Sequence, residues 1–204
     1  MKSLESGIRE VEEWLGPGTL NFFGKPFAGK DTQAEQLANR WGITVIGGGD
    51  ILRNSTIPND VRSIMEKGDL IPSDRYEKIV LPYLGQTAFA GKPLLLSSVG
   101  RMSGEEPGVI SATETSGHPI KAVLYLDITE DEAFRRLNDM PNRGRADDNP
   151  ESLRNRFDAF NAKTIPVLDT YESAGLLVRI NAMAEKDVVF QAMVYQLHER
   201  AISS

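Results

Sequence analysis

The chain has 204 residues, of which 25% are charged and 40% apolar, with a net charge of −6 and no cysteine. These values suit one soluble α/β domain with room for small mobile inserts, and they argue against a polyanionic partner such as nucleic acid, any disulfide and any thiolate zinc site. No apolar run approaches the roughly 18 residues of a membrane span, and no signal-type apolar segment stands at the N-terminus, so a cytoplasmic protein without membrane contact is expected.

Leu4, Ile8, Val11 and Leu15 fall at i, i+4, i+7 and i+11, with Glu5, Arg9, Glu12 and Glu13 between them. That spacing predicts an amphipathic helix, stopped by Gly16-Pro17-Gly18. Residues 1–17 read as an extension packed on the domain of residues 18–204. A partner or oligomer contact is the alternative, and a monomer is expected.

Leu20-Asn21-Phe22-Phe23 reads as a strand and 32–41 as a helix. Between them lies Gly24-Lys25-Pro26-Phe27-Ala28-Gly29-Lys30-Asp31-Thr32-Gln33, a G-x-x-x-x-G-K phosphate loop whose hydroxyl arrives one residue late, at Thr32. A strand, a Gly-bounded loop and a helix start aim successive backbone N–H groups at one anion, with the helix dipole behind them. Lys30 adds a mobile positive charge for the β- and γ-phosphates, and Thr32 a hydroxyl for Mg²⁺.

Ile43-Thr44-Val45-Ile46 is a short β-branched strand. Gly47-Gly48-Gly49 reads as a flexible turn, with Asp50 capping a helix through Arg53. A helix over 58–67 ends at Gly68, and Pro72 suits the first position of a helix over 73–90. Pro93-Leu94-Leu95-Leu96-Ser97 and Ala122-Val123-Leu124-Tyr125-Leu126 read as buried parallel strands. Thr129-Glu130-Asp131-Glu132 is a capping box for a helix to about residue 138. Asn149-Pro150 starts another, which Pro166 kinks and Gly175 ends. A last strand, 176–180, and a last helix, 187–201, follow. Five strands alternating with helices predict a doubly wound parallel sheet, helices on both faces, with ligand beyond the strand C-termini.

Arg53 and Arg101 follow strand ends; Arg143 and Arg145 lie in a polar stretch between helices, and Arg156 on the helix after it. Phosphoryl transfer needs fixed positive charge around a group whose charge spreads over equatorial oxygens, and guanidinium suits phosphate bidentately. The stretch around Arg143 reads as a lid that excludes water.

With these motifs in order, residues 18–200 resemble the nucleoside monophosphate kinases, adenylate kinases most closely. Gly24 to Gln33 is similar to the family's G-x-P-G-x-G-K-G-T-Q, and Gly49-Asp50-Ile51-Leu52-Arg53 to its G-D-x-L-R. Gly68-Asp69-Leu70-Ile71-Pro72 resembles the segment lining the acceptor base. Ser97-Ser98-Val99-Gly100-Arg101 stands where the family has D-G-F-P-R. Arg143-Gly144-Arg145-Ala146-Asp147-Asp148 resembles a short, zinc-free lid, and Asn181-Ala182-Met183-Ala184 the turn at the donor base.

The resemblance implies a P-loop kinase fold with a monophosphate-binding insert at about 47–78 and a lid at about 139–149. It implies small-molecule nucleotide partners, with Mg²⁺ as cofactor and no structural zinc. Residues 24–33, Arg143 and Ala184 would hold ATP, and Thr32 and Asp50 (through water) the metal. Gly48, Asp50, Arg53, Asp69, Leu70, Ile71, Ser98, Val99, Gly100, Arg101, Glu105, Arg145 and Arg156 would hold the monophosphate. Lys30, Arg53, Arg101, Arg143, Arg145 and Arg156 would carry catalysis. His118 and His198 need no catalytic role.

The implied reaction is transfer from Mg·ATP to a monophosphate, with AMP leading and CMP or UMP as alternatives; a catalytically weak regulatory nucleotide binder of the same fold is the non-enzyme alternative. Four departures stand out. The metal-side Asp is Ser97 here, while Asp31 places an acid inside the loop, either as a favourable helix-start charge or as a metal contributor. Glu105 replaces a Gln that reads the adenine edge; a carboxylate accepts from an exocyclic amine but donates to adenine N1 only when protonated. Gly48 replaces a Thr.

Overall fold

Alternation along the strands decides the architecture. β1 (Thr19–Gly24), β2 (Val45–Gly47), β3 (Leu94–Ser97), β4 (Ile120–Asp127) and β5 (Leu177–Asn181) form one sheet in the order β2-β3-β1-β4-β5, parallel at every pairing. The coordinates are a computed structural model that describes residues 3–66, 71–139 and 149–203, without the side chains of Asp50, Arg53, Asn54, Met65, Glu66 and Thr87.

Successive strand side chains point to opposite faces, and the core divides accordingly. Leu20, Phe22, Leu95, Leu124, Leu126, Val178 and Ile180 join one cluster; Phe23, Leu94, Leu96, Val123 and Tyr125 join the other. Helices α1 (Leu4–Leu15), α2 (Lys30–Trp41), α7 (Glu130–Asp139), α8 (Pro150–Ala159) and α10 (Lys186–Ser203) supply the first cluster. Helices α3 (Gly48–Asn54), α4 (Asn59–Glu66), α5 (Ser73–Leu84), α6 (Glu106–Thr115) and α9 (Ile165–Ser173) supply the second. Each fully buried Leu or Phe contributes about 1.5–3 kcal/mol, so covering both faces is what makes near-continuous apolar strands tolerable. No helix among the described residues is long and apolar enough to cross a membrane.

The amphipathic N-terminal helix packs on the domain. Ser3 caps α1 by accepting from Ser6 N–H at 3.2 Å. Ile8, Val11 and Leu15 are buried in the first cluster with Val194 and Leu197 of α10. Glu10 meets His198 of α10 at 2.7 Å.

Several expected boundaries move, each for a local reason. The glycines after β2 are not a flexible turn: Gly47 is the N-cap, and α3 begins at Gly48, which puts Asp50 inside the helix rather than at its cap. Pro72 is the residue before α5, not its first, and its carbonyl accepts from Arg75 and Tyr76 N–H, both at 3.0 Å. α5 stops at Leu84, before Gly85, because Pro82 has no N–H for the last turn. Only half the capping box forms: Glu132 N–H donates to Thr129 Oγ1 at 3.2 Å, while the Glu132 carboxylate turns to Arg135 and Arg136. The kink expected at Pro166 is a π-helical turn over Phe160–Thr164 just before α9. A wider turn there relieves the clash between the proline ring and the carbonyl four residues back.

Candidate active site

Among the described residues, the phosphate loop, the segments after β2 and β3 and the Asn181–Ala184 turn follow the carboxyl ends of parallel strands, around the end of central strand β1. The chain leaves β1 for β2 on one side and later returns to β4 on the other, the arrangement that opens a crevice for ligands.

β1 runs into the phosphate loop at Gly24, and α2 starts at Lys30. Gly29, the N-cap, has φ of 84°, a left-handed turn that aims the N–H groups of the first α2 residues at the loop's mouth. Three side chains brace the loop from outside. Lys25 Nζ donates to Ile128 O at 3.1 Å and lies 3.6 Å from Asp127, both at the end of β4. Gln33 is buried and donates to Lys186 O at 2.9 Å, anchoring α2 to α10. Arg136 of α7, which sequence reading did not single out, pairs with Glu132 at 2.7 Å and donates to Phe27 O at 3.0 Å and Ala182 O at 2.7 Å. It ties the phosphate loop to the Asn181–Ala184 turn expected at the donor base, where Ala184 is exposed.

At the mouth of the loop, Lys30 Nζ donates to both Asp31 oxygens, at 2.9 and 2.8 Å, and Ser97 Oγ donates to Asp31 Oδ1 at 2.6 Å. The displaced acid and the serine that stands for an acid are therefore bonded to each other. Thr32, the next residue in the chain after Asp31, is exposed. A Mg²⁺ shell takes oxygen ligands, mostly water and phosphate with one or two carboxylates. Asp31, Thr32 and Ser97 offer only oxygens and fit that chemistry. No group of three or more His, Cys, Asp or Glu among the described residues makes an all-protein cage.

The loop after β3 is the one expected to hold the acceptor. Ser98 has φ of 52° and Gly100 of 71°, and non-glycine residues keep such a backbone only where surroundings over-determine it. Here they do. Ser98 N–H donates to Phe22 O at 2.9 Å, Asn21 Nδ2 to Val99 O at 2.8 Å, and Gly100 N–H to the Tyr76 hydroxyl at 3.2 Å. Thr164, from the π turn, donates to Arg101 O at 3.1 Å. Asn21 was legible as a lone amide in an apolar strand; Tyr76 and Thr164 gave no signal.

This frame holds exposed Arg101 with Tyr76, Glu105 and half-buried Arg156 as its electrostatic neighbours. Two guanidiniums in one field favour an anion between them. Burial pushes the Tyr76 hydroxyl up to about 12, opposed by its bond from Gly100, so it keeps its proton. That hydroxyl would lie 2.6 Å from a Cβ added at Gly48, which explains why this chain has no side chain there. Ile71 and Val99 are buried in the same cluster.

Glu105 immediately precedes α6 and is buried; its carboxylate accepts from Met102 N–H at 3.1 Å. Desolvation raises its pKa, against the lowering effect of that bond, of the Ser73 hydroxyl and of Arg101. Arg143, Arg145, Asp69 and Leu70 lie outside the described residues, as do the side chains of Asp50 and Arg53, although both of these fall on α3.

A family model described as adenylate kinase matches residues 22–176. The chain belongs to the adenylate kinase family. It is 34% identical over 176 residues to the adenylate kinase of Thermus thermophilus, covering 83% of this chain and 91% of that one. It is 34% identical over 175 residues to the adenylate kinase of Prochlorococcus marinus, with the same shares covered. Adenylate kinase isoenzyme 1 of Caenorhabditis elegans is 32% identical over 183 residues, 85% of this chain and 84% of its own. As a member of the adenylate kinase family the chain is a nucleoside monophosphate kinase, and the parallel sheet with its phosphate loop is the family's P-loop kinase fold.

Proposed function

We propose that this protein transfers the γ-phosphoryl group of Mg·ATP reversibly to AMP, giving two ADP. The observation that carries the reading is the phosphate loop with Lys30 set beside the rigid β3 loop that holds Arg101 next to Arg156. Curated relatives named adenylate kinase support AMP as acceptor.

An AMP phosphate oxygen attacks the γ-phosphorus, the bond to the β,γ-bridging oxygen breaks, and ADP leaves with that electron pair. The acceptor oxygen is already anionic, so no strong general base is required. The protein's task is alignment and charge neutralisation. Loop amides and Lys30 hold the donor phosphates; Arg53 and Arg101 grip the AMP phosphate; Arg143, Arg145 and Arg156 balance the transferring group. Thr32, with Asp50 through water, would help hold Mg²⁺, which would supply neutralisation of the developing phosphate charge. Arg136 keeps the phosphate loop in register with the donor-base turn.

Initial rates with AMP, CMP, UMP, GMP and dTMP in a coupled assay test the reading. AMP is expected to lead in kcat/KM by at least about tenfold. A different leading acceptor, or turnover with none, overturns it.

Glu105 adds a pH signature. Below its raised pKa the neutral carboxyl donates to adenine N1; above it the carboxylate only accepts. KM for AMP is therefore expected to rise as pH climbs through that pKa. Glu105→Gln, with a donor at every pH, is expected to flatten the profile and lower KM at alkaline pH by up to about tenfold. Steady-state KM measured from about pH 5 to 9 in both proteins checks it; parallel profiles would remove Glu105 from base recognition.

A further inference from the structure

Asp31 presents a physical problem that the rest of the site does not solve. Its carboxylate pairs through both oxygens with the ammonium that the donor phosphates need, and it stands in the first turn of the helix that should receive them. When phosphates take Lys30, a carboxylate left among them without a cation is repelled. The carboxylate is not loose, however. Ser97, at the end of β3 and only 8% exposed, donates to Oδ1 at 2.6 Å. Register fixes that serine: it pairs with Phe22 of β1 on one side and Gly47 of β2 on the other. The site thus commits a buried strand-end hydroxyl to holding one acidic oxygen at the mouth of the loop.

We infer that Asp31, positioned by Ser97, is the carboxylate of the metal shell in this protein. Its carboxylate holds Lys30 in this structure. With nucleotide bound, Lys30 moves to the phosphates and the Asp31 oxygens accept from waters around the cation, so charge is balanced in both arrangements. Ser97 has no charge to bring and acts as the positioning residue. This inference rests on the phosphoryl-transfer reading above.

The test uses the full chain and reads metal binding directly. Mn²⁺ affinity for the protein bound to adenylyl imidodiphosphate is followed by electron paramagnetic resonance, and affinity for that nucleotide in EDTA by calorimetry. Asp31→Gly is expected to weaken Mn²⁺ retention about tenfold, as for the loss of one charge-assisted contact set. The same substitution is expected to tighten metal-free nucleotide binding, because Lys30 is released. Asp31→Asn, of the same shape, should move both in the same direction if glycine loosens the helix start. The exchange Asp31→Gly/Ser97→Asp, which returns a carboxylate to the cluster from the other side, is expected to recover most of the lost Mn²⁺ affinity. Wild-type Mn²⁺ retention in Asp31→Gly and Asp31→Asn would overturn the inference and leave Asp31 as a brake on Lys30 alone; so would an exchange variant no better than Asp31→Gly. Wild-type protein that binds no adenylyl imidodiphosphate would overturn the phosphoryl-transfer reading, and this inference with it.

Discussion

Lys30→Ala is expected to lower kcat/KM for ATP by about 10³-fold or more, the scale of losing a fixed charge that acts on the transferring phosphates. Two effects compound. The ammonium is lost from the phosphates, and Asp31, whose oxygens Lys30 holds at 2.8 and 2.9 Å, is left facing them. The drop should therefore shrink when the same substitution is made in an Asp31→Gly background, a non-additivity expected of groups in one network. Stability should hardly change. The Lys30 and Asp31 side chains are 25% and 45% exposed, and such pairs contribute about 0–1 kcal/mol. That corresponds to at most about 2–4 °C in Tm for a domain of this size. A coupled assay beside thermal unfolding checks both halves; near-wild-type turnover would show that the loop does not hold the donor.

The elements that sequence alone placed well are those with dense local signals. β1, the phosphate loop and α2 are written in adjacent residues, and Gly29 is where the chain must turn left-handed. The two faces of the core follow from strand alternation. The misses fall where distant residues decide. α6, which starts at Glu106 after the β3 loop, is marked only by Pro107 and an acidic residue in its first turn, without a clear apolar stripe. Glycines at 47–49 resemble a turn until the strand runs straight into α3, and Gly48 is explained only by Tyr76, far along the chain on α5, which fills the space. Thr129 and Glu132 look reciprocal, yet the carboxylate does better with two guanidiniums, Arg135 and Arg136, than with a backbone N–H.

Within the site, residue types were legible and their pairings were not. Asp31 and Ser97 read as an acid gained set against an acid lost, and a 2.6 Å contact across 66 positions joins the two physically. Arg136 carried no signal in the sequence. Its contacts with Phe27 O and Ala182 O make it a brace between the phosphate loop and the Asn181–Ala184 turn. In each case the sequence shows a polar group but not the partner, because the partner arrives through sheet order.

Asn21→Leu is expected to be the most damaging substitution that touches no nucleotide. Asn21 lies in the middle of β1, fully buried, and its amide is the clamp on Val99: Nδ2 donates to Val99 O at 2.8 Å and Oδ1 accepts from Val99 N–H at 3.4 Å. Leucine matches the volume but orphans a carbonyl and an N–H that are both buried. At about 1–3 kcal/mol for an unsatisfied group, and with the longer bond at the weak end, the loss should be about 2–4 kcal/mol. Thermal unfolding should fall by roughly 5–15 °C. Asn21→Asp should be no milder, since it keeps an acceptor for Val99 N–H but sets a carboxylate against Val99 O. The kinetic consequence separates this clamp from generic core damage. Val99 is two residues before Arg101, and the left-handed Ser98 and Gly100 on either side of it hold their geometry only while the loop is pinned. In the surviving folded fraction KM for AMP should rise, while KM for ATP, set by the phosphate loop, stays near wild type. Equal rises in both would show that Asn21 supports the sheet alone and leaves Arg101 to be held by Tyr76 and Thr164.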